Sequence, residues 1–174
     1  MSLQKVGIIG GGAWGTALGI SARRAGRDVL IWAYEPSTVE EINGAHSNAL
    51  YLPGVPLDPT IKATARLDEV ATSDVLVMVT PAQELRTIAR DLAPLVRADQ
   101  PIVIGAKGIE QSTGRRLSEV IAEVIPQVEA AVLSGPSFAS DIARGLPAAL
   151  TLATRRESQG RLLAHALSHA SFRC

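Results

Sequence analysis

Cysteine is nearly missing: one in 174 residues, Cys174 at the last position, so no internal disulfide can form. That excludes a disulfide-stapled scaffold and suits a reducing, cytoplasmic setting. An excess of charge of one sign is missing too. Seventeen Lys and Arg balance seventeen Asp and Glu, leaving no net charge and no footprint for nucleic acid or a polybasic membrane patch. Arg115-Arg116 and Arg155-Arg156 are short, solvated pairs. No apolar run approaches the ~20 residues that span a bilayer, so no membrane insertion is expected. The first strand candidate opens within about five residues of the start, which leaves no room for a signal peptide. Metal ligands are not clustered. His165 and His169 stand four apart on a helical stretch, but no third ligand accompanies them and no metal is expected.

What the chain does have is a 47% hydrophobic composition arranged in short runs. These are Val6–Ile9, Val29–Trp32, Val75–Val79, Ile102–Gly105, Ala130–Leu133 and Ala148–Ala153. Most are apolar throughout instead of alternating, the mark of strands buried on both faces of a parallel sheet. Amphipathic segments lie between them. Ala13–Ala25, Pro81–Val96, Thr113–Ile125 and Glu157–Ala170 carry apolar residues at helical spacing. Asn43–Thr60 holds three prolines and reads as a long loop of functional interest. A last strand candidate begins at Ser171-Phe-Arg173. The alternation predicts an α/β fold, a doubly wound, mainly parallel sheet of the Rossmann type, with residues 1–174 as one domain.

The densest signal is Lys5-Val-Gly-Ile-Ile-Gly-Gly-Gly-Ala-Trp-Gly-Thr-Ala-Leu18. An apolar strand turns through Gly10-x-Gly12-x-x-Gly15 into a helix. Gly10 permits the tight turn, Gly12 lets the backbone approach a pyrophosphate, and Gly15 lets the helix pack on the strand. The helix then aims its positive end and free N–H groups at that pyrophosphate, near Ala13 and Trp14. Glu35 lies twenty residues past Gly15, placed to accept hydrogen bonds from the adenosine ribose. It is also placed to act as an acid at a helix start beside Pro36. A carboxylate there repels a 2′-phosphate, so the local chemistry leans to NAD over NADP. A flavin dinucleotide fits the same fingerprint, but no second flavin signal is present. Thr80-Pro81 follows a strand and suits either the adenosine half or a helix cap. Trp32 reads as core.

Two other strand ends carry polar chemistry. Lys107 lies between Ala106 and Gly108, where an ammonium can meet a phosphate or a developing oxyanion. Gly135 and Ser137 stand just before a short helix, where N–H groups and a hydroxyl suit an anion, or where the serine caps the helix.

Four blocks together resemble bacterial NAD(P)-dependent glycerol-3-phosphate dehydrogenase: Gly10-x-Gly-x-Trp-Gly-Thr-Ala-Leu18, Asn48-Ala-Leu-Tyr-Leu-Pro-Gly54, Ala106-Lys-Gly-Ile-Glu110 and Ser134-Gly-Pro-Ser-Phe-Ala139. The resemblance implies reversible reduction of dihydroxyacetone phosphate to sn-glycerol 3-phosphate, with NAD or NADP, for phospholipid synthesis in the cytoplasm. It implies cofactor contacts at Ala13, Trp14, Tyr34, Tyr51, Lys107 and Ala139, and substrate contacts at Lys107, Gly135 and Ser137. It also implies a homodimer and a second, all-helical domain bearing the proton-donating Lys. No such Lys-Asn helix follows here, so the expectation is a cofactor domain without turnover on its own. The pair Tyr34-Glu35 departs from the Arg or His that many members carry at that point. The rival readings are a β-hydroxyacid or ketopantoate-type reductase and a non-catalytic dinucleotide-binding module.

Overall fold

In a computed structural model describing residues 3–174, the alternation of apolar runs becomes a central sheet flanked on both faces. Met1 and Ser2 lie outside the described residues. In chain order the elements begin with β1 (Lys5–Ile9), α1 (Ala13–Arg24), β2 (Asp28–Trp32), α2 (Pro36–Gly44), β3 (Lys62–Thr64) and α3 (Leu67–Ala71). They continue with β4 (Val75–Met78), α4 (Leu85–Leu92), β5 (Ile102–Ile104), α5 (Leu117–Val124), β6 (Ala130–Ser134) and α6 (Ala139–Arg144). β7 (Ala148–Ala149), β8 (Thr151–Ala153), α7 (Glu157–Leu167) and β9 (Phe172–Arg173) complete the chain.

The main sheet runs β3-β2-β1-β4-β5-β6-β8. Its first six strands are parallel, and β8 closes the edge antiparallel to β6. The order reverses between β1 and β4, which opens a crevice beyond their carboxyl ends. Pleating divides the core. Along β4, Val75 and Val77 face a cluster with Val6, Ile8 and Ile31, while Leu76 and Met78 face another with Ile9, Leu85 and Leu92. Both clusters are buried, so each run must be apolar on both sides.

Several boundaries differ from the sequence expectation. Ala148–Ala153 is not one strand. Leu150 turns into the core and splits it, leaving β7 in a separate parallel pair with β9 and β8 antiparallel on the main sheet. The final strand therefore joins β7 and not the main sheet. β5 stops at Ile104 because the Gly105 and Ala106 amides both donate to the Met78 carbonyl. Helix α4 starts four residues after Pro81, behind a turn in which Glu84 N–H donates to the Pro81 carbonyl. Helix α5 starts at Leu117, because Gly114 takes the left-handed region (φ +69°) and cannot lie within a helix. Helix α7 ends at Leu167, where Ser168 becomes extended. The short edge strand β3, with a single buried apolar residue, Ala63, had no apolar run to announce it. Among the described residues, no helix is long and apolar enough to cross a membrane, and no three His, Cys, Asp or Glu side chains are grouped as metal ligands.

Candidate functional site

A cavity of about 970 Å³ lies at the carboxyl ends of the parallel strands, over the reversal of strand order. The glycine turn forms its floor. Gly10 sits at φ +127°, where a side chain would be strained, and its N–H donates to the Trp32 carbonyl at 3.0 Å. A Cβ on Gly15 would stand 1.9 Å from the Gly10 carbonyl oxygen, so only glycine lets α1 leave the strand at this distance. A Cβ on Gly12 would meet nothing within 4 Å: its space is open, and Gly12 lines the cavity with Ala13, Trp14 and Gly15. No side chain among the described residues caps α1, whose first amides are thus free for an anion.

Beyond β2, Tyr34 is exposed and Glu35 occupies the N-cap position of α2 without a side-chain bond to that helix. Glu35 thus stands at the helix start beside Pro36, where the helix dipole favours an acid, as the alternative reading has it, but its side chain makes no capping bond. Its carboxylate instead accepts a hydrogen bond from the Tyr51 hydroxyl at 3.2 Å, which bridges the long loop to the end of β2. The Glu35 charge, first, and some burial push the Tyr51 phenol above its ordinary pKa. Tyr34, Glu35 and Tyr51 all line the cavity. Thr80 and Pro81 line it after β4. Neither caps α4, which begins later, and the buried Thr80 hydroxyl has no hydrogen-bond partner among the described residues.

Lys107 lines the same cavity, its ammonium 5.7 Å from the centre of the Trp14 ring. At that distance the ring face attracts the cation. Trp14 is itself fixed by donating from Nε1 to the Gly105 carbonyl at 3.0 Å. Ser137 and Ala139 join the lining from the start of α6. Phe138 holds the N-cap position there, so Ser137 is not the cap, and its buried hydroxyl has no partner among the described residues. Gly135 does not line the cavity. It sits behind, where a Cβ would press on Leu150 at 3.1 Å. Every other site residue expected from sequence is brought to this one cavity.

Sequence reasoning missed the bracing. Asn48, 1% exposed, donates from Nδ2 to the Gly11 carbonyl and to Thr16 Oγ1, each at 2.8 Å, and so clamps the glycine turn from the long loop. It also missed one wall, made by Leu67 and, on α4, Thr87, Ile88 and Asp91. Trp32 is core as expected, 7% exposed, yet its edge also borders the cavity. Among the described residues of the lining, Lys107 is the lone basic side chain; Glu35, Glu84 and Asp91 are acidic.

Residues 5–160 match the family described as NAD-dependent glycerol-3-phosphate dehydrogenase N-terminus. The chain is 54% identical over 171 residues to a glycerol-3-phosphate dehydrogenase [NAD(P)+] of Paramagnetospirillum magneticum, covering 98% of this chain and 62% of that protein. It is 50% identical to the enzyme of the same name from Parvibaculum lavamentivorans, covering 99% of this chain and 52% of that protein. The crystal structure of glycerol-3-phosphate dehydrogenase from Coxiella burnetii superposes with a TM-score of 0.91 at 34% identity, over 98% of this chain and 52% of that one. The chain thus spans between half and two thirds of the length of these relatives. With its strand order, glycine turn and sequence in agreement, this chain belongs to the family of NAD-dependent glycerol-3-phosphate dehydrogenase N-terminal regions.

Proposed function

We propose that this chain forms the cofactor-binding half of an enzyme that interconverts dihydroxyacetone phosphate and sn-glycerol 3-phosphate with a nicotinamide dinucleotide. The observation that carries the reading is the open space at Gly12 beside an uncapped α1, in the same cavity as Lys107. The residues present fit the cofactor. Two buried hydroxyls, of Thr80 and Ser137, lack partners among the described residues and border the space it would fill. The glycine turn with Ala13 and Trp14 would hold the pyrophosphate. Tyr34, Glu35 and Tyr51 would hold the adenosine end, with Thr80 and Pro81 beneath it. When bound, the nicotinamide supplies or accepts the hydride.

The chain's own residues orient and neutralise. Lys107 offers a compact cation for a phosphate or a developing oxyanion, and Ala139 and Ser137 border the same corner. Gly135 acts from behind by letting that segment approach Leu150. The proton at the substrate oxygen is assigned, by family resemblance, to a Lys in the length of the relatives that this chain does not span. Homodimer formation, a cytoplasmic location and a role in supplying phospholipid precursors rest on the same resemblance. The acidic lining around Glu35 favours NAD over NADP, because a 2′-phosphate there would face carboxylates and no cation but Lys107.

Calorimetric titration with NADH and with NADPH tests both parts. NADH is expected to bind, and NADPH to bind more weakly. Absence of binding by both would defeat the dinucleotide reading, whereas tighter NADPH binding would defeat only the assignment of Glu35.

A further inference from the structure

Lys107 sits on a turn of its own, and the groups that fasten the far end of that turn, Arg86, Glu110, Gln83 and Thr113, do not line the cavity. At its start, the Gly105 and Ala106 amides donate to Met78, and the Gly105 carbonyl accepts from Trp14. At its far end stands Glu110, 5% exposed, which is unusual for a carboxylate. Arg86 of α4 meets it in a two-pronged pair, Nε to Oε1 at 2.7 Å and Nη2 to Oε2 at 3.0 Å. The Thr113 hydroxyl adds a third bond, to Oε2 at 2.5 Å. Arg86 reaches on to Glu123 of α5 at 2.8 Å, so one guanidinium ties the turn to two helices. Gln83 completes the fastening: its Nε2 donates to the Ile109 carbonyl and its Oε1 accepts from the Gln111 amide, both at 3.0 Å. Between these clamps lies Gly108 at φ +116°, a conformation that lets Lys107 turn back toward Trp14.

We infer that Arg86 and Glu110 are positioning residues, whose buried pair holds the Lys107 turn so that its ammonium stays over Trp14 in the cavity. Neither side chain borders the cavity, so their effect on a ligand must pass through the turn. The planar fork of Arg86 fixes the direction as well as the distance of Glu110, which a lysine could not do. The fixed carboxylate then sets where the chain leaves Gly108. The Arg86 guanidinium, with the Thr113 hydroxyl, holds the Glu110 carboxyl at about 2, so the pair is ionised across the physiological range. This inference rests on the proposed role of Lys107 toward an anionic ligand.

A double-mutant cycle tests it, with NADH affinity read by calorimetry for the native chain, Lys107→Met, Glu110→Gln and the double variant. Loss of a charged contact by Lys107→Met should weaken binding about tenfold. Glu110→Gln should weaken it roughly threefold or more by the same coupling, and the double variant should bind no worse than Lys107→Met. Arg86→Gln approaches the pair from the other side and should repeat the Glu110→Gln effect. A merely structural pair would lower the melting temperature yet leave affinity unchanged, or weaken it by one factor in both Lys107 backgrounds; either result overturns the inference. If Lys107→Met itself leaves NADH affinity unchanged, the contact of Lys107 with the cofactor falls and the inference with it, while the dinucleotide site stands. A second readout needs no cofactor. In a Trp32→Phe background, Lys107→Met and Glu110→Gln should shift Trp14 fluorescence in the same direction. A shift with the first and none with the second overturns the inference.

Discussion

The glycine turn after β1 and the Lys107 turn after β5 line one cavity and touch through Trp14, but different forces hold them. The glycine turn is shaped by sterics, of the turn on itself at Gly15 and against Val79 and Thr80 at Gly10. Its geometry exists because there is no Cβ at Gly10 and Gly15, and Asn48, the Trp32 carbonyl and the Gly105 carbonyl brace it from outside. The Lys107 turn is shaped by charge and hydrogen bonds from the distant Trp14, Gln83 and Arg86, with Thr113 adding one from three residues beyond Glu110. A turn made by what is absent cannot be loosened by degrees; adding one atom makes it collide. A turn made by added partners can be weakened one bond at a time.

Substitutions that separate these two regimes should differ in size. The largest effect belongs to Gly15→Ala, whose new methyl would overlap the Gly10 carbonyl. We expect a loss of about 3 kcal/mol or more, read as a melting temperature lower by about 6–12 °C. Gly12→Ala, in the same turn, meets open space. Its melting temperature should stay within about 2 °C of the native value, while NADH affinity in calorimetry falls. An equal loss of stability in both variants would erase the distinction between packing and approach.

Next comes Asn48→Ala. It leaves the buried Gly11 carbonyl without its donor, costing about 2 kcal/mol, or about 4–8 °C in the melt. NADH binding should weaken alongside, because the clamp on the glycine turn is gone.

Glu110→Gln sharpens the other side through pH. The folded carboxyl lies at about 2, below the ordinary 4.5, so folding favours its ionised form. The stability this contributes is present above pH 4.5 and is lost as pH falls toward about 2. Melting curves of the native chain and the variant should therefore differ most near neutrality and converge on acidification. A gap that does not narrow would mean that the pair holds the turn by shape and not by charge. The smallest effect is expected of Arg161→Ala. Its pair with Glu157 is as short, 2.6 Å, but both side chains are about 80% exposed. Water screens such a pair, and the change should stay within about 0.5 kcal/mol. Comparison with Arg86→Gln isolates what burial adds to an ion pair.

How far the chain could be understood from its residues follows the same division. Strands β1, β2, β4, β5 and β6 were legible because both of their faces pack against apolar side chains, fully buried on one side and at least partly on the other, which demands an apolar run. The start of α1 was legible because the glycine spacing dictates its own turn. Where boundaries slipped, a long-range contact had overruled local periodicity. Leu150 looks like the middle of a strand, yet its amide donates to the Arg173 carbonyl and its side chain packs near Gly135, so the run divides. Thr113 to Arg116 carries residues compatible with a helix, yet Gly114 and the Glu110 contacts make a turn there. In the candidate site, the expected residues converge on one cavity except Gly135. Asn48, Arg86 and Glu110 went unassigned because their partners lie 24 to 37 residues away and leave no periodic trace.

The sequence by itself determined the layered α/β architecture, the glycine turn and the strand ends that carry Lys107 and Ser137. It could do so because two-sided burial, helical spacing and steric exclusion act between neighbours along the chain. Only the tertiary structure decided that β8 runs antiparallel on the sheet edge, that Tyr51 meets Glu35, and that Trp14 lies under Lys107. It also decided that a buried Arg86–Glu110 pair fastens the Lys107 turn. These outcomes depend on which surfaces meet once the sheet has twisted and its helices have packed, and no local stretch of sequence carries that information.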